Sequence, residues 1–309
     1  MDNKLTVSVS PHIHAKRTTQ TIMRDVLIAL LPVTIAGTVI FGLRSLAVIG
    51  VCVAVSVLSE FIFNKIVKKP VSVTDLSACV TGLLLGLNLP ANVPLWQCAV
   101  ASVFAIVIVK CLFGGVGKNI VNPAMTARVF MIVAFSSMTN VAFPKGLDAA
   151  SGATPLVQLA EGESVAFMDL FLGNTGGAIG ETCALALIIG GIYLLVRKVI
   201  TWHIPVVYIA TVFLFTLFVK DFDFGVALSW VLSGGLILGA FFMATDYVTS
   251  PATAFGKVVY GIGAGLITVL IRFWGVYPEG VSFAILIMNI LNPFIDMLTA
   301  RKIFGGEKK

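Results

Sequence analysis

The sequence predicts an all-α polytopic membrane protein, with about ten transmembrane helices in two inverted five-helix repeats containing short or broken helices. Three observations carry that expectation. The chain has 309 residues, 58% apolar and only 12% charged, with a mean hydropathy of +1.01. Soluble domains carry about 25% charged residues, so a soluble two-domain reading by length is excluded. Apolar blocks recur at about 23–43, 46–64, 74–90, 94–113 and 121–139, then at 179–196, 204–219, 225–244, 258–274 and 279–298. Most approach the ~20 residues that cross a hydrocarbon core of about 30 Å. Finally, Asn119-Ile120-Val121-Asn122-Pro123 recurs as Asn289-Ile290-Leu291-Asn292-Pro293, and Gly82-Leu83-Leu84-Leu85-Gly86 recurs as Gly235-Leu236-Ile237-Leu238-Gly239. Both pairs keep their order, and five blocks per half force the second half to insert upside down, as in many transporter folds.

Taken in order, residues 1–22 form a polar, basic cytoplasmic arm without the layout of a cleavable signal peptide. Residues 23–139 make the first repeat, 140–178 a polar loop, 179–298 the second repeat and 299–309 a cytoplasmic tail. The third block is short and Gly-interrupted, and the glycines suit close helix contacts. The Asn-Pro pairs are expected to break their helices, since Pro removes a backbone donor and restricts the residue before it.

The net charge of +6 does not gather on one solvated face, which argues against nucleic acid. Basic residues instead flank the blocks. With the N-terminus in the cytoplasm, sixteen fall inside and four outside (Arg44, Lys145, Lys220 and Arg272), with Arg128 left within a span. This bias places both termini in the cytoplasm and the 140–178 loop on the opposite face. Cys52, Cys79, Cys98, Cys111 and Cys183 lie in or at the ends of apolar runs without a C-x-x-C pair, and read as inert buried thiols rather than cluster ligands.

Ionisable groups at membrane depth are costly and therefore informative. Arg128 follows Asn122-Pro123 by about one and a half turns. It suits an anion clamp or flavin partner, or an interhelix salt bridge. Asp246, in Thr245-Asp246-Tyr247-Val248-Thr249-Ser250-Pro251, suits a solvated cap or a cation site. Glu60, Asp75, Glu181, Glu279 and Asp296 lie near block ends, where solvation at the interface is expected. His12, His14 and His203 sit at boundaries, and no zinc or catalytic-triad spacing appears.

The polar loop holds Asp148-Ala149-Ala150-Ser151-Gly152-Ala153-Thr154, followed by Pro155. Alone this is a turn with two hydroxyls, in which Pro155 restrains Thr154 to extended geometry. In context it resembles the recognition motif of the flavin transferase that esterifies the phosphate of FMN to the last Thr. Ser10-Pro11-His12-Ile13, the paired Asn-x-x-Asn-Pro segments and Thr245-Asp246 with Ser250-Pro251 extend the likeness over essentially the whole chain. The sequence thus resembles the D-subunit family of Rnf electron-transport complexes, homologous in plan to the B subunit of the sodium-translocating NADH:quinone reductase. It lacks the long N-terminal extension of the latter.

The resemblance implies a membrane redox subunit of an ion-translocating ferredoxin:NAD+ oxidoreductase coupled to Na+ or H+. It implies a covalent FMN on Thr154, with Ser151, Gly152, Ala153 and Asp148 read by the transferase. It further implies a non-covalent riboflavin, for which Arg128, Asn119 and Asn122 are the candidate contacts. The implied partners are the A, B, C, E and G subunits of the Rnf complex, the flavin transferase and the lipid bilayer of the cell membrane. A solute channel or secondary transporter is the alternative that the repeat alone suggests, and a purely structural membrane subunit is a third.

Overall fold

The computed structural model describes residues 17–70, 72–138, 142–144, 153–275 and 279–300. Among them every named element is helical. Four helices are long and apolar enough to cross a membrane: α1 (Thr19–Phe41), α2 (Leu43–Ile66), α12 (Ala254–Trp274) and α13 (Val281–Thr299). A fifth candidate is a bent pair, α10 (Phe224–Leu232) and α11 (Leu236–Leu238, continuing as a π-helix to Met243), with 65° between its parts. Shorter apolar helices complete the body: α3 (Ser77–Leu87), α4 (Leu95–Val103, running on as a π-helix to Cys111), α5 (Pro123–Ala134), α8 (Ala184–Val196) and α9 (His203–Val219). Between the halves lie two short helices, α6 (Pro155–Ala160) and α7 (Phe167–Leu172). The chain is a multi-pass membrane protein.

Local sequence sets the boundaries. Thr18 and Thr21 cap α1 reciprocally, each side-chain oxygen accepting from the other's backbone N–H, at 3.3 and 3.0 Å. Asn122 caps α5, its Oδ1 accepting from Ala124 and Met125 N–H, and Pro123 fills the first helical position where no donor is needed. The expected Asn-Pro break is therefore present in the first half. In the second half it is absent, because α13 runs through Pro293. There Asn289 is tied into the core instead. With its amide turned to satisfy its neighbours, it accepts from Asn122 N–H at 3.1 Å and donates to Tyr260 Oη at 2.7 Å. Packing of this kind lets a buried helix tolerate a proline.

Small residues let the helices approach. A Cβ on Gly82 would sit 2.7 Å from Cys52 O, and one on Gly86 2.9 Å from Ile49 Cα, so α2 and α3 touch backbone to backbone. Buried cations hold the two corners. Lys110 Nζ reaches Glu60 at 3.0 Å and Ser77 Oγ at 2.6 Å, where α3 begins after the left-handed Leu76. Arg272 donates to Trp230 O at 2.6 Å, Ser233 O at 3.0 Å and Glu279 O at 3.2 Å. The first two carbonyls are freed where α10 ends and the chain turns through Gly234 at φ 67°, and the third lies just before α13. Arg272 and Lys110, read from sequence as flanking charges, are buried anchors.

Candidate functional site

A cavity of about 270 Å³ opens among α5, the 153–157 and 175–182 segments, the bend after α10 and the start of α13. Drug-sized ligands typically occupy pockets of roughly 300–1,000 Å³. Its walls are largely apolar, including Ile132, Met138, Leu156, Leu232 and Phe283. Its polar members include Arg128, Thr154, Glu181, Thr182, Glu279 and Ser282.

Thr154 stands at the N-terminal cap of α6 with φ −62° and ψ 154°, the extended geometry that Pro155 imposes. Its backbone carbonyl takes the helical bonds from Val157 and Gln158 N–H at 2.9 and 3.0 Å. The side-chain oxygen is left with one long bond, from Val157 N–H at 3.4 Å. The hydroxyl is thus nearly free, half-buried and on the cavity wall. Ala153 is beside it, whereas Asp148, Ser151 and Gly152 lie outside the described residues.

Arg128 occupies the buried side of the same cavity. Its Nη1 donates to Asn88 Oδ1 and Glu181 Oε1, and its Nη2 pairs with Glu279 Oε2. Arg128 is therefore ion-paired within the protein, and it also lines the cavity. Among the described residues its Nε, together with Thr182 Oγ1, Glu279 Oε1 and Ser282 Oγ, has no hydrogen-bond partner although buried. Buried polar groups left unpaired cost about 1–3 kcal/mol each. Four of them, unpaired among the described residues, gather around one cavity. Glu181, Glu279 and Glu60, expected at solvated block ends, are ion-paired inside the protein. Sequence distance from an apolar block does not reveal that a loop folds back over its helices.

Asn119 and Asn122 are not in this cavity. They line a second, smaller one of about 110 Å³, with Ser77, Lys110, Thr245 and Asp246. The three residues nominated for a second flavin are therefore divided between two cavities. Burial pushes the Asp246 carboxyl up, opposed by a hydrogen bond from Thr249 Oγ1 at 3.2 Å. Asn119 Nδ2 closes onto Val121 O at 3.1 Å, while Asn122 Nδ2 reaches Met243 O at 3.3 Å.

Between the cavities stand Asn88 and Met243. Asn88 Nδ2 donates to Leu84 O at 2.6 Å and faces Met243 Sδ at 3.6 Å, while its Oδ1 accepts from Arg128. A polar thread therefore runs from Arg128 through Asn88 and Met243 to Asn122. Asn88, at the end of the short α3 just before Pro90, escaped notice as a site residue. Its signal was an amide inside an apolar run. Among the described residues no group of His, Cys, Asp and Glu is placed to hold a metal, and the five cysteines are unpaired.

Comparison with known proteins places this architecture. Over 98% of its length the chain is 48% identical to a protein of Acetobacterium woodii, the D subunit of a Na(+)-translocating ferredoxin:NAD(+) oxidoreductase complex, 96% of which is covered. It is 39% identical over 99% of its length to the D subunit of the proton-translocating ferredoxin:NAD(+) oxidoreductase complex of Clostridium ljungdahlii, covering 98% of that protein. It is 37% identical to the D subunit of the ion-translocating oxidoreductase complex of Marinobacter nauticus, with 97% and 95% of the two chains covered. Residues 6–305 match the family model described as NQR2, RnfD, RnfE, and the chain belongs to that family.

Proposed function

We propose that this chain is the D subunit of an ion-translocating ferredoxin:NAD+ oxidoreductase of the cell membrane and carries one FMN as a phosphoester on Thr154. The supporting observation is the position of the Thr154 hydroxyl, almost unengaged on the wall of a largely apolar cavity that holds unpaired polar groups. When bound, the flavin supplies the electron-carrying chemistry, and the protein's part is to position it and set its surroundings. Thr154 tethers the group through its phosphate. The apolar wall of Leu156, Leu232 and Phe283 excludes water from the ring. Arg128, already committed to Glu181 and Glu279, offers its free Nε.

Ser151, Gly152, Ala153 and Asp148 form the segment that the flavin transferase reads. The cavity of Asn119 and Asn122, about 110 Å³, falls short of the roughly 300–1,000 Å³ that drug-sized ligands take, so a non-covalent riboflavin there requires it to open. The A, B, C, E and G subunits of the complex are the partners. In this reading the two halves are inverted repeats. The smaller cavity opens to the cytoplasm, where both termini lie, and the Thr154 cavity faces the other side. The paired corner anchors Lys110 and Arg272, each closing the fourth helix of its half, support that symmetry.

The test is intact mass and in-gel fluorescence of the denatured chain produced with its transferase. The expected result is one added FMN, lost in Thr154→Val. Fluorescence retained in that variant removes the assignment. A transporter without a redox role is the second reading, favoured by two cavities whose lining residues Arg128 and Asn122 are linked through Asn88 and Met243. It requires solute flux in liposomes from a chain that has no flavin.

A further inference from the structure

Glu181 and Glu279 reach the Thr154 cavity from different segments and converge on one point. A Cβ on Gly235 would lie 2.7 Å from Glu181 Oε1 and 2.9 Å from Glu279 Oε1, so the two oxygens meet over the only residue type that leaves them room. Arg128 bridges the two acids, Nη1 to that same Glu181 Oε1 and Nη2 to Glu279 Oε2. Among the described residues Glu279 Oε1 has no donor, and its neighbour is the other carboxylate. Two ionised carboxylates have only acceptors to offer each other. Adjacent acids of this kind settle by keeping one proton between them.

The surrounding charges are few. Arg128 comes from α5. Arg272 comes from α12 but spends its N–H groups on the carbonyls of Trp230, Ser233 and Glu279. Tyr208 comes from α9, its hydroxyl bonded to Thr268, and Asn88 from the end of α3 is neutral.

We propose that Glu181 and Glu279 are a proton-sharing carboxyl pair that takes up a proton from water when the flavin on Thr154 gains an electron. The inference rests on the flavin reading given above. The step balances simply. A low-potential one-electron donor reduces the ring, one water-derived proton binds the carboxyl pair, no bond of the protein breaks, and the charge in the cavity is unchanged. Glu279 is suited to the task because burial pushes its carboxyl up to about 8, with Glu181 adding to the effect and Arg128 and Arg272 opposing it.

Two measurements decide the matter separately. In the full chain with Thr154→Val, which has no tether, infrared pH titration is expected to show a protonated-carboxyl C=O band persisting well above the ordinary Glu value of about 4.3. Its intensity falls when Glu279→Gln is added, leaving the contribution of the buried Asp246. Absence of the band from the Thr154→Val chain, or undiminished intensity in the double variant, overturns the carboxyl pair whether or not flavin ever binds.

In the flavin-loaded chain, the midpoint potential is followed against pH by spectroelectrochemistry. Above about pH 8, where the pair has lost its shared proton in the oxidised chain, the wild type is expected to change by about 59 mV per pH unit, one electron against a tenfold change in proton activity. Glu279→Gln is expected to lower that slope, with FMN content by mass unchanged. Equal slopes in the two chains overturn the linkage. Glu181→Gln serves as the second variant if Glu279→Gln does not fold. A chain whose mass never shows FMN defeats the flavin reading, while the infrared arm still judges the pair.

Discussion

Arg128 gathers partners from 40, 53 and 151 residues away along the chain: Asn88, Glu181 and Glu279. Its energetic role follows from that convergence. A buried ion pair adds little net stability against an apolar replacement, but removing one partner strands the others without compensation, at a cost of about 3–5 kcal/mol. Arg128→Met is therefore expected to be far more destructive than its volume suggests. The thermal midpoint of the detergent-solubilised protein should drop sharply, and Arg128→Met combined with Glu181→Gln and Glu279→Gln should recover much of the loss. A single variant as stable as wild type would show that the cluster is solvated. The sequence marked Arg128 as costly because it stands alone in an apolar block. It could not name the partners, since nothing in the spacing of Glu181 or Glu279 tells a returning loop from a solvated one.

The broken helices carry the geometry at the scale of elements. α3 is short and stops at Asn88, α5 starts only at Asn122-Pro123, and α10 turns by 65° into α11, so three chain ends meet near the Arg128 cluster and Met243. The Gly-interrupted third block and the first Asn-Pro pair were legible, because Gly and Pro act through the backbone alone. The continuous course of α13 through Pro293 was not, since it depends on the side-chain ties of Asn289 to Asn122 and Tyr260.

The contact of α2 with α3 gives the sharpest test at this scale. Gly86 faces Ile49 Cα, whereas Gly50 has nothing near it and points outward. Gly86→Leu forces the helices apart and should cost about 1–3 kcal/mol or more. Gly50→Leu should stay within about 0.5 kcal/mol of wild type. Thermal midpoints of the two variants side by side check the difference. Equal midpoints would mean that the two helices do not pack this closely.

For the molecule as a whole, two cavities with different polar groups are separated by Asn88 and Met243, and the basic residues predict opposite faces for them. Composition made the membrane class plain, because a chain with 12% charge cannot clothe a soluble surface. Sidedness rests on charge bias alone and so needs its own measurement. In a background with the five cysteines replaced by alanine, a single cysteine at Thr154 lines the larger cavity and one at Asn119 the smaller. A membrane-impermeant thiol reagent added outside intact cells should label Thr154→Cys and spare Asn119→Cys. In inside-out vesicles the pattern should reverse. Labelling of both positions from one side would sink the inverted arrangement and, with it, the placement of Thr154 outside the cytoplasm. Labelling of either cysteine from both sides would mean that Asn88 and Met243 do not separate the cavities, which is what a solute channel requires.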